Sequence, residues 1–382
     1  MVFLLSFLFT LAVPAASPAS DWPSLQGGSD HLGVAPSLAP PLTAVWQADL
    51  KTAVYSSPVI SRGMVYTAGE NGEISAFTVA GAPSWKTRIK GKIYASTPSV
   101  ADGMLFIGSV AGQGSKTGTL WAVSASTGAV AWSFVPPKEN NRSTDIFSSP
   151  LVAGQLVIFG CDDWNVYALD RVTGKLEWKF QAGNMIHDNA GALAGDLVLI
   201  GSFDGWMYAL RVKDGSLAWK FKTRKKLNTA PAVADGRAYF GAEDGNLYAV
   251  SLADGKLLWS WKTKAAIVAS PAVTADSVYL ASTDGTVTAL SREGAKKWSF
   301  EVGSHVVAAP LVAGGHVYTA AIDTMAMLSQ QLYSLDALTG KVEWKFQLKG
   351  PLFASPACSD GLLVIAGKKG WLYGFKSSAG PG

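Results

Sequence analysis

The sequence predicts an all-β protein, a single eight-bladed β-propeller of four-stranded antiparallel blades, and three observations carry that prediction. Tryptophans recur at Trp46, Trp85, Trp132, Trp178, Trp219, Trp259, Trp298 and Trp344, separated by 39, 47, 46, 41, 40, 39 and 46 residues. Between them one pattern repeats, as in "SPVISRGMVYTAGENGEISAF", "APAVADGRAYFGAEDGNLYAV" and "SPAVTADSVYLASTDGTVTAL". In many of the copies, Asp-Gly or Asn-Gly pairs fall where tight hairpin turns demand positive φ.

In chain order, the first element is "MVFLLSFLFTLAVPAASPAS", whose apolar run from Val2 to Val13 has the length of a signal-peptide core and is too short to span a bilayer. Cleavage is placed after Ala19. No cysteine lies near that point, so lipid attachment there is not expected. Residues 20–42 form a leader that includes "DWPSLQGGSDHLGVAP". Each repeat then reads as a strand after the Ser-Pro or Ala-Pro pair, a second after "ADG", a third after "EDG" or "TDG", and a fourth containing the Trp.

A lone four-stranded unit cannot cover both of its apolar faces, whereas units packed radially can. The last copy, at about 353–375, lacks an outer strand. Residues 43–48, "TAVWQA", are expected to supply it and close the ring. The propeller is thus placed at 43–376, with a flexible tail at 377–382. One Trp per blade reads as a packing knob between blades.

Composition narrows the function. The 382 residues are 48% hydrophobic and 16% charged, with a net charge of +4 that is too small to imply nucleic acid. Cys161 and Cys358 stand at non-equivalent places, so a disulfide is not expected. Two cysteines and four scattered histidines give no metal-ligand spacing. A soluble, monomeric, exported protein of the bacterial cell envelope, periplasmic or secreted, is the expectation.

The residues Tyr167-Ala168-Leu169-Asp170, then Thr173-Gly174-Lys175 and Trp178, resemble the pyrroloquinoline-quinone-like (PQQ-like) propeller repeat, and the leader resembles the segment often found before such propellers. That family includes quinone-dependent alcohol dehydrogenases and the BamB scaffold of outer-membrane barrel assembly. For the dehydrogenases, the resemblance implies a vicinal cysteine pair over the quinone and a calcium held by a Glu, an Asn and an Asp. This chain has no Cys-Cys pair and no glutamate to join Asp188 and Asn189. Neither PQQ nor calcium is therefore expected. The expected function is a non-catalytic binding or scaffold protein, the alternative being a quinoprotein-type enzyme or a degenerate cofactor-binding relative.

Variation among the copies points to a site. The first and third turns of each blade hold their length, while insertions fall on the opposite face, at 109–118, 136–145 and 323–331. Elaborated loops on a rigid scaffold are where binding concentrates. The windows between each Trp and the next Pro, or its equivalent, hold 17 Lys and Arg against five Asp and Glu. A basic rim is expected to meet a protein partner or small anionic ligand through Arg88, Lys90, Lys92, Lys138, Arg142, Arg224, Lys225 and Lys226. "TMAML", 324–328, is a Met-rich loop suited to partner contact. In blade four the small-residue-Pro pair is replaced by "MIHDNAGAL". Aligning Gly191 with the repeat proline sets His187-Asp188 against Val54-Tyr55. With Asn189, and with Asn228 of the next blade, this pair is read as a polar sector at the channel mouth.

Overall fold

The computed structural model describes residues 21–112, 114, 117–187, 190–303, 305–320 and 330–378. The segment at 1–19 expected to be a signal peptide, the Met-rich loop at 324–328, Asp188, Asn189 and the last four residues lie outside the described residues. Eight four-stranded antiparallel sheets follow one another along the chain and pack as the blades of a ring. No helix among the described residues is long and apolar enough to cross a membrane.

Blade five shows why this sequence folds so. Its strands are Ala232–Ala234, Arg237–Gly241, Asn246–Ser251 and Leu257–Lys262. The two middle strands are almost wholly buried, because neighbouring blades cover both of their faces. The outer strand alternates between exposed and half-buried residues, since only one of its faces is covered. Trp259 projects from that covered face and donates its indole N–H to the Arg292 carbonyl of blade six at 2.8 Å. Gly294, at a φ of +88°, lies beneath the ring, where a Cβ would come within 2.8 Å of the indole. The turn glycine is therefore required twice, by the backbone conformation and by its neighbour's tryptophan.

The same bond recurs from Trp46 to Val79, Trp85 to Ala125, Trp132 to Arg171 and Trp178 to Val212. Trp219 reaches Leu252 and Trp298 reaches Ala337 in the same way. Trp344 faces the blade in which the two chain ends meet. There Leu42–Asp49 pairs antiparallel with Trp371–Ser377, closing the ring as the sequence implied. The closing strand runs one residue longer than expected at each end. Ser378 also donates its N–H to Pro41, so the fixed structure reaches two residues into the segment expected to be a flexible tail.

Where a serine or threonine precedes the blade's proline, it does more than pack. Ser57 N–H donates to Thr97 Oγ1, Thr97 N–H to Ser149 Oγ, and Ser355 N–H to Ser57 Oγ, at 3.1, 2.9 and 2.9 Å. Ala230 and Ala309 donate likewise to Ser270 and Ser355. Hydroxyls thus tie five of the junctions between blades around the axis.

The leader is the largest addition to the sequence reading. It runs across the ends of the innermost strands, on the face of the uniform turns. Trp22 exchanges two backbone hydrogen bonds with Ile60, and Pro23 accepts from Val100. Ser29, Asp30, Leu32 and Gly33 accept from Leu193, Val233, Val273 and Val312. Val34–Ala35 then pairs in parallel with the inner strand of blade seven. Trp22, Gln26 and His31 are buried in this contact. The leader closes that face of the disc.

Candidate functional site

With one face covered by the leader, the axis becomes a cavity of about 660 Å³ with Leu25 among its lining residues. Its wall is built by one rule. As the chain enters each blade it buries one aliphatic residue between blades and then turns the next residue toward the axis. The buried residues are Val54, Ile93, Ile146 and Ile186 in blades one to four, then Leu227, Ile267, Val306 and Leu352. Three of them press where glycines leave room: a Cβ on Gly108, Gly160 or Gly241 would meet Ile146, Ile186 or Ile267 within 2.4 Å.

This rule corrects the register expected for blade four. Ile186, not His187, is the counterpart of Val54, because blades two and four carry one residue more between the buried aliphatic and the proline position. His187 is therefore the counterpart of Tyr55 and Tyr94, and lines the cavity. Asn228 does so in blade five.

The remaining wall is uneven. Phe353, Tyr55, Tyr94, Phe147 and His187 form a continuous arc of rings, with successive centroids 5.6, 5.7, 6.0 and 4.0 Å apart. Blades six and seven contribute Val268 and Val307 instead.

Three wall residues are held from above by acids in the turns between second and third strands. Glu70 Oε1 accepts from Lys92 Nζ at 3.0 Å and from the Tyr94 hydroxyl at 3.1 Å. Asp162 Oδ1 lies 2.7 Å from His187 Nδ1. Glu243 Oε1 accepts from Asn228 Nδ2 at 2.8 Å and pairs with Lys226 at 3.2 Å. The Lys92 ammonium holds the Glu70 carboxyl below its usual range. Burial raises that of Asp162, partly offset by His187. From the same turn in blade eight, Lys368 places its ammonium 5.3 and 5.2 Å from the ring centroids of Tyr55 and Phe353. Among the described residues Lys368 makes no ion pair.

The other basic residues named from the sequence lie away from the cavity. Arg88 reaches toward Glu73 at 3.8 Å on the outer strand. Lys90, Lys138, Arg224 and Lys225 are exposed. Arg142 stacks its guanidinium 3.6 Å from the Trp164 ring centroid and donates to the Asp163 carbonyl, fixing the 136–145 insertion on blade three. Only Lys92 and Lys226 reach the mouth, each with a carboxylate partner. Glu70, Asp162, Glu243 and Lys368 were missed by sequence reasoning. Their common signal is their position two residues beyond the small residue that ends the second strand.

The donor set does not suit the calcium and quinone that the dehydrogenase resemblance implies. Glu70, Asp162 and Glu243 stand in three different blades, each already engaged, whereas a hard cation needs several oxygens converging on one point. Cys161 and Cys358 are buried thiols in blades three and eight, so neither forms a vicinal pair. Burial pushes the Cys358 thiol up to about 12.

A family model described as outer membrane protein assembly factor BamB matches residues 39–185, 162–321 and 323–380. The BamB of Moranella endobia (strain PCIT) is 28% identical over 157 residues, which are 38% of this chain and 39% of that relative. The chain thus matches about two fifths of that relative's length. The crystal structure of BamB from Moraxella catarrhalis superposes with a TM-score of 0.75 at 20% identity, covering 90% of this chain and all of that one. The quinohemoprotein alcohol dehydrogenase of Comamonas testosteroni gives a TM-score of 0.75 at 13% identity, covering 95% of this chain and 82% of that one. At such identities the two structures share the fold alone.

Proposed function

The chain belongs to the family described as outer membrane protein assembly factor BamB, and on that premise we propose that it is an exported, non-catalytic scaffold that holds a partner polypeptide. One observation carries this reading. Among the described residues the leader lies across the uniform face, so the axial cavity faces the loops and paired charges of the other face. An opening framed by variable loops on a rigid ring suits recognition of a partner. Lys92 and Lys226 stand at the mouth beside carboxylates, an arrangement that orients a partner more than it attracts a bulk anion.

The fixed pairing of Glu70, Asp162 and Glu243 with wall residues and lysines supports a binding role over a catalytic one. Site-specific photo-crosslinking in the cell envelope tests the reading. p-Benzoylphenylalanine at Thr283, in the turn beside the mouth, is expected to capture a protein partner, and the same residue at Gln155, a turn on the leader side, is not. Equal capture at both positions would sink it.

A further inference from the structure

The cavity has a chemistry of its own. Its volume of about 660 Å³ lies within the roughly 300–1,000 Å³ of ligand pockets. Five of its hydroxyls, those of Ser57, Thr97, Ser149, Ser270 and Ser355, already accept backbone N–H groups from adjacent blades. An occupant meets ring surface on one side and valine on the other, and two polar groups bear on its chemistry. One is the Lys368 ammonium over Tyr55 and Phe353. The other is Asn228 Oδ1, a buried acceptor with no hydrogen-bond partner among the described residues, whose amide N–H is held by Glu243. A flat aromatic group with one hydrogen-bond donor and one neighbouring carboxylate meets both.

We propose that the axial cavity is an anchor site for a single tryptophan or tyrosine side chain of the partner polypeptide, with an acidic residue beside it in sequence meeting Lys368. The ring stacks within the arc of Tyr55, Tyr94 and Phe147, its N–H or O–H donates to Asn228 Oδ1, and the carboxylate takes the open side of the Lys368 ammonium. Binding energy in protein interfaces concentrates in such buried aromatic anchors. The inference rests on the partner-binding reading above and specifies what that face recognises.

The test uses the full chain and blocked peptides followed by calorimetry. Acetyl-Gly-Trp-Asp-Gly-amide is expected to bind at least tenfold more tightly than acetyl-Gly-Ala-Asp-Gly-amide, and several-fold more tightly than the Trp-Lys or Phe-Asp versions. Val307→Trp, which fills the cavity from the valine side, is expected to abolish binding, and Lys368→Gln to remove the preference for Asp over Lys. Equal binding of the Trp-Asp and Ala-Asp peptides overturns the proposal, as does undiminished binding by a Val307→Trp chain that melts normally. If Val307→Trp does not fold, the Lys368→Gln result decides alone. Binding of free 2-naphthoate without the peptide also overturns it, in favour of a small-molecule site. Persistent crosslinking at Thr283 in the Val307→Trp chain would leave the scaffold reading standing while the anchor fails. Loss of that crosslink in the unaltered chain would instead remove the scaffold reading itself.

Discussion

The two faces of the disc are made from the same eight repeats and end in opposite states. On one, the leader satisfies the inner-strand N–H groups of Val100, Leu193, Val233, Val273 and Val312 and buries Trp22 and His31. On the other, equivalent chain entries leave half-buried rings around an open mouth. A ring of blades has no intrinsic top or bottom for binding; what distinguishes its faces is which one the rest of the chain consumes. Residues that face the leader should therefore govern stability, and residues that face the mouth should govern recognition.

The largest expected effect is on the closed face. Trp22 packs with Ile60 and Val65 in the core where the chain ends meet. Trp22→Ala should lower stability by about 3–5 kcal/mol in denaturant unfolding. Loss below about 1 kcal/mol would mean that the leader is not part of the folded core. Next comes pH. Burial pushes the His31 imidazole down from 6.5 to about 4, so the folded chain resists a proton that the unfolded chain binds. Stability is whole above about pH 6.5 and declines as pH falls toward 4, by about 3 kcal/mol at full effect, each pKa unit being about 1.4 kcal/mol. A His31→Asn chain should lose that slope in the same unfolding series.

On the open face the effects shrink. Phe147 stacks on Tyr94 and His187, and Phe147→Ala should cost about 0.5–1.5 kcal/mol for each aromatic pair lost while weakening partner capture more than tenfold. Smallest is Lys226→Gln, at the mouth beside Glu243. A partly exposed ion pair is worth about 1 kcal/mol or less, so its melting curve should barely move. A large loss of stability there would blur the division between the faces.

How much of this the sequence could show follows from where each signal resides. The tryptophans, their turn glycines and the closing strand are local and periodic, so they are legible. The leader contributes backbone carbonyls to other strands, and a carbonyl carries no side-chain signature, so its role as a cover was invisible. The cavity wall lay one residue from a legible feature. Counting back from proline sets His187 against Val54, because the extra residue in blades two and four is silent until Ile186 is seen pressed against the Gly160 position. The pairing of Lys92 with Glu70 joins segments 22 residues apart across a blade boundary, which window-by-window charge counting cannot register. That is why a basic rim was expected where paired charges stand.

Amide hydrogen exchange on the full chain reaches the central claim most directly. If the leader seals one face, the N–H groups of Val100, Leu193, Val233, Val273 and Val312 exchange as slowly as the ladder amides of the middle strands, and Trp22→Ala releases them together. Should those five amides exchange in the unaltered chain as fast as exposed turns, the leader does not close the ring, the cavity opens on both faces, and the account fails.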